Sequence, residues 1–380
     1  MADRAAGPRR AAVGARPVGV RGGQPGAAGG RRAARRPGTK LEAGVSAVPE
    51  RSRWRGEGVH IDEVVAELAR LHHPLQDGGR RQAVARTLNL FVAPASSEAG
   101  KTVGDALAGL GAHSPSRTLV LRRHGSDRLD AEAVIECELP DAAGRVGVCH
   151  DRVTLTADDS RLEHAASLLA PLLLSDLPTV LWLPEPDSPI PDPRLLDRAQ
   201  QVLVDSTADD GAALRRLQEL TKSARVHDLA WGRLEFWRAA TAAAFESPEQ
   251  RAMLPRIAGL DVRYEGEALS AGLLLAGWVV ARAGWRPEGI ERDHGRAHGK
   301  AVRTDGSPVA LSLEREPDAR GCGGIEKLTF RTDSDEVKIR RGAATSRLRD
   351  LFAEALQPTP SFARGYPEAL GAVAAMLRDS

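Results

Sequence analysis

Residues 113–124 read HSPSRTLVLRRH, and the assignment of this stretch decides the architecture. Pro115 cannot continue a helix, and Thr118-Leu119-Val120-Leu121 is apolar toward both faces of a strand, as a strand buried in mid-sheet must be. HSPSR is then a turn into a strand. Its basic ends, Arg117 before the apolar tetrad and Arg122, Arg123 and His124 after it, sit where the strand leaves the core. They either grip an anionic substrate or reach for water or another protein.

Reading outward, RTLNLFVA (86–93) is a strand and SSEAGKTVGDALAGL (96–110) a helix, begun by Ser96 or Ser97 and ended by Gly109 and Gly111. AEAVIECEL and RVGVCHDRVTLT are two strands joined by a hairpin loop at 141–144, and DDSRLEHAASLLAPLLL (158–174) is a helix capped by Asp158 or Asp159. Upstream, HIDEVVAELARLHH carries Ile61, Val64, Val65, Leu68 and Leu71 on one helical stripe. The order from 86 to 174 is β-α-β-β-β-α. A second unit opens with DLPTVLWLPEP, whose strand Val180–Leu183 is flanked by prolines. It continues through PRLLDRAQ, QVLVDS and DDGAALRRLQELTKSA as helix, strand and helix. Such alternation signals a mainly parallel sheet covered by helices. WGRLEFWRAATAAAF, SPEQRAMLPR and 268–283 add helices; KAVRT, PVALSLER, GIEKLTFRT and DEVKIRR are short antiparallel strands after 300, and two helices close the chain. The expected class is α/β: two domains with mixed sheets covered by helices, spanning 58–175 and 176–380.

Charge separates the leader from the rest. The first 55 residues hold 13 Arg and Lys against three Asp and Glu, while the remaining 325 carry 40 against 48. Residues 1–57 are Arg-, Gly- and Ala-rich without apolar periodicity, so a disordered leader is expected. The acidic body argues against nucleic acid as a partner, because the leader alone would supply the attraction. The longest apolar run, 268–281, is too short to span a bilayer. Three cysteines without a CxxC spacing, and no export signal, fit a cytoplasmic protein.

Each chemical motif has a plainer reading. Ala95 to Thr102 matches a relaxed phosphate-loop spacing, with VLVD (202–205) as a magnesium partner, but it has one glycine and places Glu98 where phosphate charge would sit. HGRAH (294–298) lacks the glutamate of a metalloprotease helix and lies between glycines, so a solvated loop is expected. Asp158-Asp159 and Asp209-Asp210 precede helices and serve as caps. Trp231, Leu234, Trp237 and Thr241 fall at helical spacing as a core stripe, whereas Trp182, next to a proline-rich surface loop, is the expected exposed anchor. No catalytic, cofactor-binding or metal-ligating residue is expected.

The succession SPSRTLVLRRHGSDRLDAE, VIECELPD, VCHDRVTLTADD, EHAASLLAPLLLSDLPTVLWLPEP, HDLAWGRLEFWR and LLLAGWVVARAGW resembles the OpcA family, the glucose-6-phosphate dehydrogenase assembly proteins of actinobacteria and cyanobacteria, and more specifically its actinobacterial form. The similarity runs from about residue 85 to 340. It implies a non-catalytic assembly factor and allosteric activator of glucose-6-phosphate dehydrogenase in the oxidative pentose phosphate pathway, without a cofactor. The alternative is a nucleotide- or sugar-phosphate-binding enzyme using the 95–102 loop. Residues expected to face the dehydrogenase are Arg117, Arg122, Arg123, Trp182, Pro184 and Glu185.

Cys137 and Cys149 are equidistant from residue 143, so a symmetric hairpin puts them opposite each other, within reach of a disulfide. Cyanobacterial members are associated with thioredoxin-linked redox control, which would make this a redox pair. The plainer expectation, in a reducing cytoplasm, is two buried thiols.

Overall fold

The computed structural model describes residues 50–379, apart from 78–81, 85, 109–113, 126, 138–146, 186–189, 208–210, 294, 317–323 and 341–347. Most of the leader, the 141–144 hairpin loop, Gly109, Gly111 and the Asp209-Asp210 cap lie outside the described residues.

The chain begins with β1 (Glu50–Gly56), α1 (Ile61–Asp77), β2 (Gln82–Val84), β3 (Leu88–Val92), α2 (Ser97–Ala108) and β4 (Ser116–Arg123). It continues with β5 (Asp130–Cys137), β6 (Gly147–Ala157), α3 (Asp159–Leu162), α4 (Ala165–Leu169), β7 (Thr179–Leu183), α5 (Arg194–Arg198), β8 (Gln201–Val204), α6 (Ala212–Leu220) and β9 (Val226–Asp228). Then come α7 (Leu229–Arg233), α8 (Glu235–Ala244), α9 (Pro248–Arg251), β10 (Gly259–Glu265) and α10 (Leu269–Ala283). The last elements are β11 (Arg286–Asp293), β12 (Arg296–Val302), β13 (Pro308–Arg315), β14 (Gly324–Arg331), β15 (Glu336–Arg340), α11 (Leu348–Ala355) and α12 (Tyr366–Met376).

Two mixed sheets organise these elements. The first has the order β1-β5-β6-β4-β3-β7-β8-β9, with β2 added on β6. From β6 to β9 every neighbouring pair is parallel. Numbered among themselves in chain order, these six strands run 3-2-1-4-5-6, the doubly wound arrangement of dinucleotide-binding folds. The opening stretch is its second strand, β4, buried between β3 and β6 as its two-sided apolar pattern requires. The second sheet runs β11-β12-β13-β10-β14-β15, with β10 and β13 parallel and the other neighbours antiparallel. Helix α10, buried along nearly its whole length, packs on α12. A Cβ at Gly277 would meet Ala369 O at 2.7 Å, so glycine is what lets these helices approach. Among the described residues no helix is long and apolar enough to cross a membrane.

The mixed α/β class agrees with the sequence, but several boundaries move. The division expected at 175 falls inside the first sheet, because β3 hydrogen-bonds to β7 and the sheet continues through β8 and β9. The expected leader ends too late. Residues 50–56 form β1, register-paired with β5 from Glu50↔Cys137 to Gly56↔Ala131, and Trp54 packs against the core. The helix expected over 158–174 is broken into α3, α4 and a 3-10 turn containing Pro171, which cannot supply the N–H a continuous helix needs. His298, expected in a loop, is on β12; His294 lies outside the described residues.

Candidate functional site

The two basic ends of β4 do different work. At the amino end, Arg117 donates Nε–H to Asp151 Oδ2 at 2.8 Å and an Nη1 hydrogen to Leu172 O at 3.0 Å. Arg86 donates to the other oxygen of Asp151 at 2.7 Å and to His72 at 2.7 Å. Burial pushes the Asp151 carboxyl up, but its His72 and Arg86 contacts and the Arg117 charge outweigh this and hold it at about 2. Burial lowers Arg117. This is a buried ionic knot tying α1, β4 and β6 together, so Arg117 is internal rather than a partner contact.

At the carboxyl end, β4 delivers Arg122 and Arg123 to a cleft of about 820 Å³. The cleft exists because the connection from β4 to β6 is the strand β5, where a doubly wound half has a covering helix. Helix α2 walls the cleft with Lys101, Val103 and Gly104; Glu132 and Glu136 of β5 and Arg152 and Thr154 of β6 also line it. The floor is neutralised internally: Arg53 and Arg55 pair with Glu132, and His150 and Arg152 with Glu136. Arg123 pairs with Asp159 at 2.6 Å. Lys101 and Arg122 are exposed, and neither has an ion-pair or hydrogen-bond partner among the described residues.

The turn from β3 into α2 is where a dinucleotide-binding fold seats pyrophosphate. Here it is Ala93-Pro94-Ala95-Ser96, without glycine. The Ser96 N–H donates to the Glu185 carboxylate at 3.0 Å, and the Ser96 hydroxyl caps Ala99 N–H at 3.3 Å. A Cβ at Gly100 or Gly104 would meet nothing within 4 Å, so neither glycine makes room for a phosphate or a close strand. Asp205, the sequence's candidate magnesium ligand, is held in a fork by Arg233 at 2.7 and 2.8 Å. The residues present do not fit a dinucleotide. No described contact in the cleft pairs a nucleophile with a base.

Trp182 is not an exposed anchor. It is 3% exposed and stacks on Phe352 with ring centroids 4.5 Å apart, because β7 is central in the sheet and α11 covers it. Pro184 and Glu185 follow it, half-buried. The segment HDLAWGRLEFWR is a buried joint that sequence reasoning read only as a tryptophan stripe. His227 meets Ala355 O at 2.9 Å; Asp228 accepts from Ser206 N–H and Oγ–H, Ala230 N–H and Tyr366 O–H. Burial pushes the Asp228 carboxyl up to about 6 despite these donors. Arg238 lies over the Trp231 ring at 3.9 Å, and burial lowers it to about 10. Cys137 and Cys149 are directly opposed in the β5–β6 ladder, both buried, and joined by a disulfide with Cα atoms 4.0 Å apart.

Comparison with known proteins finds two adjoining matches. Residues 109–219 match the glucose-6-phosphate dehydrogenase subunit N-terminal domain, and 224–360 match the C-terminal domain of the same subunit. A protein named putative OxPP cycle protein OpcA from Nostoc punctiforme is 29% identical over 53% of this chain and 47% of its own length. The protein of the same name from Synechococcus elongatus is 30% identical over 43% of this chain and 38% of its own. The chain thus spans less than half the length of these relatives. A solved myo-inositol dehydrogenase from Lactobacillus casei is 11% identical and superposes with a TM-score of 0.41 over 76% of this chain and 93% of that one, too weak a likeness to carry an argument.

Proposed function

The chain belongs to the OpcA family of glucose-6-phosphate dehydrogenase assembly proteins, and we propose that it binds that dehydrogenase and raises its activity without catalysis of its own. The match of two successive domain profiles across well over half of the chain carries this reading. The chemistry of the fold supports it: the pyrophosphate turn lacks glycine, and the one carboxylate of the magnesium motif is committed to Arg233. An activator works by binding the active state of its partner more tightly than the inactive one, by about 1.4 kcal/mol for each tenfold shift. Size-exclusion chromatography of this protein mixed with the cognate dehydrogenase tests the association. Co-migration is expected; separate elution at micromolar concentration argues against it.

A further inference from the structure

We infer that the cleft beside α2 binds a small phosphomonoester, held by Lys101 and Arg122, in place of the dinucleotide its fold would otherwise take. Three observations lead there. First, the cleft is lined by the carboxyl ends of β3 and β4, on the side of β3 away from the reversal of strand order between β3 and β7, and doubly wound sheets bind ligands outside the carboxyl ends of their strands. Second, the usual anion seat is occupied from within. Glu185 accepts the Ser96 N–H, so a pyrophosphate approaching the start of α2 would face a carboxylate and find no glycine turn to cradle it. Third, the lining includes two cations whose side chains have no ion-pair or hydrogen-bond partner among the described residues, Lys101 from the second turn of α2 and Arg122 from the end of β4. An arginine at the end of the second strand of this fold is placed to recognise a phosphate monoester such as a ribose 2′-phosphate. Together the charges suit one dianion, which arginine receives in bidentate fashion and lysine as a point charge.

The floor sharpens the choice. Glu132 and Glu136 are each paired with basic side chains and leave hydrogen-bonding capacity for hydroxyls. A polyhydroxylated body with one phosphate fits this lining. The element recognised is the phosphomonoester dianion. This inference goes beyond the proposed association with the dehydrogenase and does not depend on it.

Isothermal titration of the full chain, without the dehydrogenase, tests it in paired arms: glucose 6-phosphate against glucose, and ribose 5-phosphate against ribose. Binding of at least one phosphomonoester, with no binding by its unphosphorylated counterpart, is expected. The arm that responds identifies the source. Lys101→Ala and Arg122→Ala should each weaken binding by about tenfold while leaving the melting temperature unchanged, since both side chains are exposed and have no partner among the described residues. Affinity should also fall as pH drops below about 6, where a phosphomonoester loses its second charge. Absence of binding by both phosphomonoesters overturns the inference. So does binding of NAD+, which would mean that the pyrophosphate seat is in use, or affinity indifferent to both substitutions.

Discussion

Arg117 and Arg122 lie on one strand, yet removing them should have unlike consequences. Arg117→Ala leaves the buried Asp151 carboxylate with fewer partners and should cost about 3 kcal/mol in urea unfolding. Arg122→Ala should change stability by no more than about 0.5 kcal/mol. A second residue-scale outcome follows from Asp228. Its carboxyl is raised in the folded state to about 6, so its contribution to stability is fully present below its ordinary range near 4 and is lost as pH rises through 6. Thermal melts of wild type and Asp228→Asn should therefore diverge in the variant's favour between pH 5 and pH 7. Asp151 acts in the opposite direction: held at about 2, it stabilises the fold above pH 4, and that contribution is lost as pH falls toward 2. A pH-independent difference between Asp228→Asn and wild type would contradict the raised carboxyl.

Strand β1 is the element whose removal is most informative. It covers the edge of β5 along seven residue pairs, from Glu50 to Gly56, and supplies Arg53 and Arg55 to Glu132. Extending an amino-terminal deletion from residue 48 to residue 57 should lower the melting temperature by several degrees and expose an unpaired strand edge prone to association. Equal melting temperatures for the two deletions would show that β1 contributes nothing. This element was illegible in the sequence because ERSRWRG alternates charge with a single tryptophan and sits at the end of an arginine-rich run; its strand character comes from the partner, not from its own apolar content. The same holds for GLDVRYE, where Asp261 and Arg263 are half-buried and Glu265 is buried, and for RPEGIERD, whose charges are mostly exposed, in sheet positions that only the fold reveals. By contrast, β3, β4, β7 and β8 were legible because burial on both faces writes itself as continuous apolar sequence.

For the whole molecule, the sequence indicated a parallel sheet covered by helices but not the 3-2-1-4-5-6 order, since strand order depends on crossovers that local pattern does not encode. The cleft was half legible. The 95–102 loop drew attention for its spacing and Arg122 for its place at a strand end, yet nothing local tells that Glu185, some ninety residues on, caps the Ser96 N–H, or that Trp182 is covered by Phe352. What survives is a doubly wound frame whose dinucleotide seat is filled from within. The most direct measurement is the initial rate of NADP+ reduction by the cognate glucose-6-phosphate dehydrogenase at sub-saturating glucose 6-phosphate, with and without an equimolar amount of this protein. A higher rate in its presence is the predicted result; an unchanged rate under both reducing and oxidising conditions would contradict activation.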